Sequence, residues 1–260
     1  AALAARGAKA GPQPSDWFKI CQAKKAEWET FKQERYDHPV IHDLQRGEPL
    51  LTQPAAIKAA VDWTEGKDDV RLFFDAGDVQ ANGFQVVTDD VPGRTFTETG
   101  ASYMGFAASA VLASAALPER PYFLAFTGDG SFTMSPQVLI DGAEFGARGC
   151  LLLMDNNRMA AISALQLAQY EQAFATWHDH PVNYLRWAEG VPGVLGLDGG
   201  RSPASLAAAL DRAYVHDGLS LIHLPVYYGP APLGGLGAFG RWNVGNWVEE
   251  TQSLRHRIGL

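Results

Sequence analysis

Two short apolar runs, each ending in a polar turn and separated by one helix-length segment, constrain this chain more than any other feature. The first, Pro121-Tyr122-Phe123-Leu124-Ala125-Phe126, stops at Thr127-Gly128-Asp129-Gly130-Ser131-Phe132. The second opens at Cys150 and runs through Leu151, Leu152, Leu153 and Met154 to Asp155-Asn156-Asn157. Unbroken apolar runs of this length suit strands buried on both faces of a parallel sheet. Between them, Ser135-Pro136 reads as an N-cap and first helical position. Val138, Leu139, Ala143 and Phe145 continue an apolar face, and Gly146 and Gly149 end the helix. A right-handed β-α-β unit opens both strand ends on one crevice. Asp129 and Asn156 are therefore expected side by side there.

That pair carries chemistry. Magnesium takes hard oxygen ligands in a tight octahedron and completes its shell with phosphate oxygens and water. Asp129 offers a carboxylate, Asn156 an amide oxygen, and irregular backbone beyond it could offer the Arg158 carbonyl. Gly130 and Ser131 let backbone and hydroxyl donors come close to a diphosphate. Gly-Asp-Gly alone also suits an ordinary tight turn, but the Asn at this spacing argues against that reading.

With those residues in view, the chain resembles the thiamine diphosphate-dependent enzymes, whose signature is Gly-Asp-Gly followed some thirty residues later by Asn-Asn. The metal-binding Asn of the acetohydroxyacid synthase branch falls on Asn156, so that Asp155-Asn156 stands where Asn-Asn is usual. The run Gly-Asp-Gly-Ser-Phe-x-Met, then Asp-Asn, Ile162 and Leu165-Gln166, looks most like the trihydroxycyclohexanedione hydrolases, with the synthases close behind. The resemblance spans roughly residues 50 to 225. It implies an α/β fold, a doubly wound parallel sheet with helices on both faces.

By this resemblance the cofactor-binding residues are Ala76, Gly77, Asp78, Ser102, Met104, Gly128, Gly130, Ser131, Asn156, Met159 and Ala160. The metal ligands are Asp129, Asn156 and the Arg158 carbonyl. Gly100 to Ala107 looks like the segment whose bulky side chain wedges under the cofactor. Met104 would force its bent conformation, while the Ser102 carbonyl and Met104 amide hold the pyrimidine edge. The alternative for Met104 is plain helix core, on a face with Ala107, Ala108, Val111, Leu112 and Ala115. Phe73 to Gln80 resembles the strand and loop that supply the second diphosphate contacts. Here the chain has Asp78-Val79 where the synthases have Gln-His, so backbone contacts are the safer inference. Ala160 replaces a usual glycine, which predicts a differently shaped loop from Arg158 to Gln166.

A chain of 260 residues with 47% apolar content buries one substantial core. Complete enzymes of the resembled group are about twice as long, and this chain looks like their last domain with its preceding linker. The expected organisation is a linker and N-terminal helix over 1–50, the diphosphate-binding domain over 51–228, and a lid or interface segment over 229–260. Ala1 to Pro14 is small, basic and structureless. Ser15-Asp16-Trp17 opens a helix to about Arg35, with Trp17, Ile20 and Trp28 on one side. In the resembled families a buried Glu on the pyrimidine-binding domain, usually of another subunit, activates the cofactor. No Glu here sits in a matching motif. The resemblance thus implies a half-site subunit whose activating Glu is carried by a second polypeptide with that domain, in a hetero-oligomer such as α2β2, and it leaves any catalytic residue of this chain unknown. Its reaction would be C–C cleavage or ligation beside a carbonyl of a 2-oxo acid or cyclic 1,2-dione. A non-catalytic cofactor-binding or regulatory subunit is the alternative.

With 21 basic against 29 acidic residues the net charge is −8 and no basic stripe stands out, which argues against nucleic acid as partner. No apolar run approaches a membrane span. Cys21 and Cys150, few and far apart, suit a reducing cytoplasm. Gly235 to Gly240 matches a dinucleotide fingerprint by spacing but reads as a loop. His178-Asp179-His180 reads as a polar surface loop, since adjacent side chains diverge and no further ligand lies at a helical spacing. Trp242 and a helix from about Asn246 to Arg257 would form the closing segment. Arg158, Gln166 and Trp242 are the candidates for substrate contact.

Overall fold

The computed structural model describes residues 15–178 and 180–236. Ala1 to Pro14, the glycines from Gly237 on, Trp242 and the helix expected at Asn246 to Arg257 lie outside the described residues.

The strands are β1 (Val40–Asp43), β2 (Glu48–Thr52), β3 (Val70–Phe74), β4 (Thr95–Thr97), β5 (Tyr122–Gly128), β6 (Gly149–Asp155), β7 (Leu195–Asp198) and β8 (Leu219–Tyr227). The α-helices are α1 (Asp16–Asp37), α2 (Gln53–Trp63), α3 (Asp78–Val86), α4 (Phe106–Ala110), α5 (Asp129–Phe132), α6 (Val138–Phe145), α7 (Ala160–Tyr170), α8 (Tyr184–Glu189) and α9 (Pro203–Val215). The strands form one sheet in the order β1-β2-β8-β6-β5-β3-β4, with β7 also paired to β8. All pairs are parallel except β1 with β2.

The sheet is doubly wound, as the side-chain alternation along each strand shows. Leu72, Phe74, Leu124, Phe126, Leu152, Met154, Ile222 and Leu224 face one way, against α2, α3 and α9. Phe73, Phe123, Ala125, Leu151, Leu153, Leu219 and Leu221 face the other, against α4, α6 and α8. Period-two alternation in strands buried on both sides is what makes the sequence read as unbroken apolar runs. Gly149 opens β6 rather than ending the preceding helix. A Cβ there would run into the Phe123 carbonyl, so β5 and β6 start at a spacing only glycine allows.

Other local expectations also shift. The helix after Ser135-Pro136 begins at Val138, and its N-terminal residue Gln137 makes no side-chain cap bond. Gly146 does end it, in the left-handed region at φ 69°. Ser15 caps α1 as read, accepting from the Phe18 amide. The apolar side expected over Trp17 and Ile20 is not packed: these residues are 73% and 54% exposed. The helix instead docks through its second half, where Trp28, Phe31 and Tyr36 pack on the core. There Arg35 donates to the Gly235 and Pro232 carbonyls. Met104 is not on a helix face. It precedes α4, which starts only after Gly105 at φ 94°.

Candidate active site

Parallel strands in one sheet direct their carboxyl ends to one edge, and the cleft lies there. The turn after β3 supplies Ala76, Gly77 and Asp78; the loop before α4 supplies Ser102 and Met104. The end of β5 supplies Gly128, Asp129, Gly130 and Ser131, and the end of β6 supplies Asn156, Arg158, Met159 and Ala160. These residues together line a single cleft of about 450 Å³. The arrangement brings together every residue expected from the sequence to touch a cofactor or metal.

Asp75 ties three of these segments to one another. Its fully buried carboxylate accepts from the Ala76 amide at 3.0 Å, the Gly105 amide at 2.8 Å and the Thr127 hydroxyl at 2.8 Å. A second brace is the half-buried Glu98, which accepts from the Gly100 and Ala101 amides at 2.6 and 3.0 Å. Gln80 completes the loop's support, donating to the Glu98 carbonyl and accepting from the Ser102 hydroxyl. Neither Asp75, Glu98 nor Gln80 carries a motif, and sequence reasoning passed over their roles.

Asp129 is buried, with one oxygen, Oδ1, accepting from the Gly130 amide at 2.9 Å. The other, Oδ2, is buried without a hydrogen-bond partner. Leaving such an acceptor unsatisfied costs about 1–3 kcal/mol. Burial, reinforced by the neighbouring Asp155 carboxylate, pushes the Asp129 pKa up. Asp155 goes the other way. Burial works against its charge, but His223 and Arg46, each 2.9 Å from its carboxylate, hold its pKa down. Asn156 Oδ1 accepts from the Arg158 amide at 3.1 Å in a tight turn, and Asn157 at φ 60° redirects the backbone. The Arg158 peptide thus stays next to Asp129, while its side chain turns away. Its guanidinium lies 3.2 Å from the Trp177 ring centre and 4.0 Å from that of Tyr228, with Nη2 donating to Gln45 Oε1 at 2.7 Å. Arg158, Asn156, Asp78 and Gln53 form the wall between this cleft and a second one of about 970 Å³. Gln166, the other described candidate for substrate contact, lies on α7, since the loop expected from Arg158 to Gln166 is helical from Ala160 on, and it accepts from the Phe174 amide beyond the end of that helix.

Gly130 lies beneath two methionines. A Cβ there would come within 2.7 Å of Met159 Sδ and 3.2 Å of Met104 Cε. Gly77, at φ 85°, opens the N-terminus of α3 toward the cleft, where backbone N–H groups favour an anion. Against that, Asp78 is the first residue of the same helix, and burial pushes its carboxyl up to about 7.

His178 departs from the expected surface loop. After α7 the chain returns so that Trp177 bridges Arg158 in antiparallel fashion. The His178 amide donates to the Asn157 carbonyl at 3.1 Å, and Asn157 Nδ2 donates back to the His178 carbonyl at 3.0 Å. The His178 side chain stays 38% exposed but turns its Nε2 inward, 3.9 Å from Asp129 Oδ2. His180 is exposed, and Asp179 lies outside the described residues. A return across a loop leaves no periodic trace in sequence, so only the fold reveals it.

The site fits a divalent cation holding a diphosphate. A buried acidic oxygen without a hydrogen-bond partner belongs to a residue that lines glycine-rich space, and Asn156 and the turned backbone at Arg158 line the same cleft. Among the described residues no three His, Cys, Asp or Glu side chains converge on a metal position. One carboxylate supplemented by neutral oxygens suits a cation whose remaining ligands come from phosphate.

The family model described as thiamine pyrophosphate enzyme, C-terminal TPP binding domain, matches residues 75–224. The chain is 28% identical over 217 residues to the acetolactate synthase isozyme 1 large subunit of Escherichia coli (strain K12), covering 78% of this chain and 35% of that protein. It is 26% identical over 246 residues to the 3D-(3,5/4)-trihydroxycyclohexane-1,2-dione hydrolase of Listeria monocytogenes serotype 4b (strain F2365), covering 90% of this chain and 38% of that protein. Against the hydrolase of the same name from Bacillus subtilis (strain 168), it is 28% identical over 214 residues, 76% and 33% of the two chains. The matched region thus amounts to about a third of the length of these curated relatives.

Proposed function

We propose, on the premise that the chain belongs to the thiamine pyrophosphate enzymes and carries their C-terminal TPP-binding domain, that it binds thiamine diphosphate through a divalent cation, Mg²⁺ in the family's usual manner, and forms one half of an active site. The observation that carries this reading is the buried Oδ2 of Asp129, without a hydrogen-bond partner, on a residue that lines the cleft together with Gly77, Gly128 and Gly130. When bound, thiamine diphosphate supplies a carbon nucleophile and an electron sink for bonds next to a carbonyl.

The chain's own residues bind, orient and shield. Asp129, Asn156 and the Arg158 carbonyl would hold the cation. The α3 N-terminus at Gly77, with Gly130 and Ser131, would seat the diphosphate, and Met104 would set the bend. Leu165 and Ile162, which line the same cleft, would limit water. The reaction we infer is C–C cleavage or ligation beside a carbonyl, with a 2-oxo acid or cyclic 1,2-dione as substrate. The printed functions of the relatives, acetolactate synthase and a cyclohexane-1,2-dione hydrolase, support that range.

Among the described residues no glutamate lines the cleft. The activating Glu would come from a pyrimidine-binding domain on a second polypeptide, in a hetero-oligomer of α2β2 type. Phe84, Tyr103 and Ile162, exposed in or beside the cleft, offer an apolar rim for such a partner. Among the described residues no helix is long and apolar enough to cross a membrane. The free Cys21 and Cys150 accord with a reducing cytoplasm as its location. The absence of a lining glutamate, together with Asp78 in the cleft wall, equally favours a second reading, a non-catalytic cofactor-binding or regulatory subunit.

Native mass spectrometry of the protein from its own host, with Mg²⁺ and thiamine diphosphate present, tests these readings. A complex of two different polypeptides holding one cofactor per pair is the expected result. A cofactor-free homo-oligomer of this chain contradicts the catalytic reading.

A further inference from the structure

His178 Nε2 and Asp129 Oδ2 face each other across 3.9 Å, too far for a hydrogen bond, and both atoms are buried with no other partner. Metal–oxygen and metal–imidazole bonds of about 2.0–2.2 Å would together span about 4.2 Å. The separation is shorter than that span, so the gap accommodates one metal ion bound to both atoms at an angle of about 135°. The placement of the imidazole is fixed by backbone structure. His178 and Asn157 exchange two hydrogen bonds, and the Met159 amide donates to the Thr176 carbonyl at 2.8 Å. The segment carrying His178 is thus fastened to the same turn that carries Asn156 and the Arg158 carbonyl.

We propose that His178 is a fourth protein ligand of the cation held by Asp129, occupying a position that Mg²⁺ would give to water, and that the site consequently favours a first-row transition metal such as Mn²⁺ or Co²⁺ over Mg²⁺. An imidazole nitrogen discriminates against Mg²⁺, which takes oxygen ligands, whereas first-row transition metals accept it. This rests on the cation site of the proposed function.

The test uses the 260-residue chain with Mn²⁺ and inorganic pyrophosphate, read by calorimetry and pulsed electron paramagnetic resonance. The wild type should show ¹⁴N coupling to Mn²⁺, converted to ¹⁵N coupling by ¹⁵N-histidine labelling, which needs no variant. H178Q should lose that coupling and about tenfold or more of its Mn²⁺ affinity, while its Mg²⁺ affinity changes less than about twofold. D129A should lose both metals. Mn²⁺ bound without nitrogen coupling overturns the role of His178 and leaves the Asp129 site standing. Failure of the wild type to bind Mn²⁺ while Mg²⁺ still binds overturns the role of His178 alone, and failure to bind either metal, with or without pyrophosphate, overturns both.

Discussion

Asp129 is buried and Asp78 half-buried, and burial of both acidic side chains costs the cofactor-free chain stability. Removing the buried charge of Asp129 beside Asp155 while keeping its shape should therefore help the fold: D129N should unfold at higher urea than the wild type, by about 1 kcal/mol. A lower midpoint would mean that the carboxylate is satisfied within the fold. Asp78 gives a pH-dependent version of the same argument. Its folded pKa of about 7 lies above the ordinary 3.8, so the folded state binds the proton more tightly than the unfolded state. The stability it contributes is fully present below the ordinary value and is lost as pH rises through the folded value. D78N should accordingly unfold like the wild type at pH 3 and be more stable at pH 8, as thermal scans at the two pH values would show. The same substitution removes a negative charge from the cleft and should tighten pyrophosphate binding. Gly130 tests shape rather than charge. In G130A the new methyl meets the flexible ends of Met159 and Met104. Thermal stability should change little, whereas affinity for thiamine diphosphate should fall about tenfold or more through loss of the space beneath the methionines.

Between elements, Asp75 and Gly149 decide how the site is assembled. Asp75 joins the ends of β3 and β5 to the start of α4 through one carboxylate. D75A would orphan several buried donors at about 1–3 kcal/mol each, to be read as a large drop in the urea midpoint. D75N, able to accept from both amides and donate to Thr127, should recover most of it. G149A should also destabilise, by about 1–3 kcal/mol, because the obstacle is backbone and cannot move aside. The strands that frame the cleft were legible in sequence, since residues buried on both faces leave unbroken apolar runs and the turns after them end in glycine or Asn. The run from Cys150 to Met154 falls within β6, which extends it by one residue at each end. Helix starts were less legible. Ser135-Pro136 has the composition of a cap, yet the first turn there is spent joining α5 to α6, and regular helix waits until Val138. Gly149 illustrates the converse: a glycine near a helix end whose real constraint is a neighbouring strand that local sequence does not show.

Across the whole molecule, the site draws on four strand ends far apart in sequence but brought to one edge by parallel pairing. Those positions were readable because each lies in a local strand-to-turn pattern. His178 was not, because it arrives through a loop that folds back on Asn157. The Arg158 side chain was not, because its stacking between Trp177 and Tyr228 joins segments with no shared period. The central claim is that Asp129 anchors a cation and, through it, the diphosphate of thiamine diphosphate. Calorimetric titration of this chain with thiamine diphosphate, with and without Mg²⁺, tests it most directly. The account predicts saturable binding near one per chain that is abolished both by a metal chelator and by D129A. Affinity unchanged in D129A, or no binding by the wild type in any metal, would contradict it.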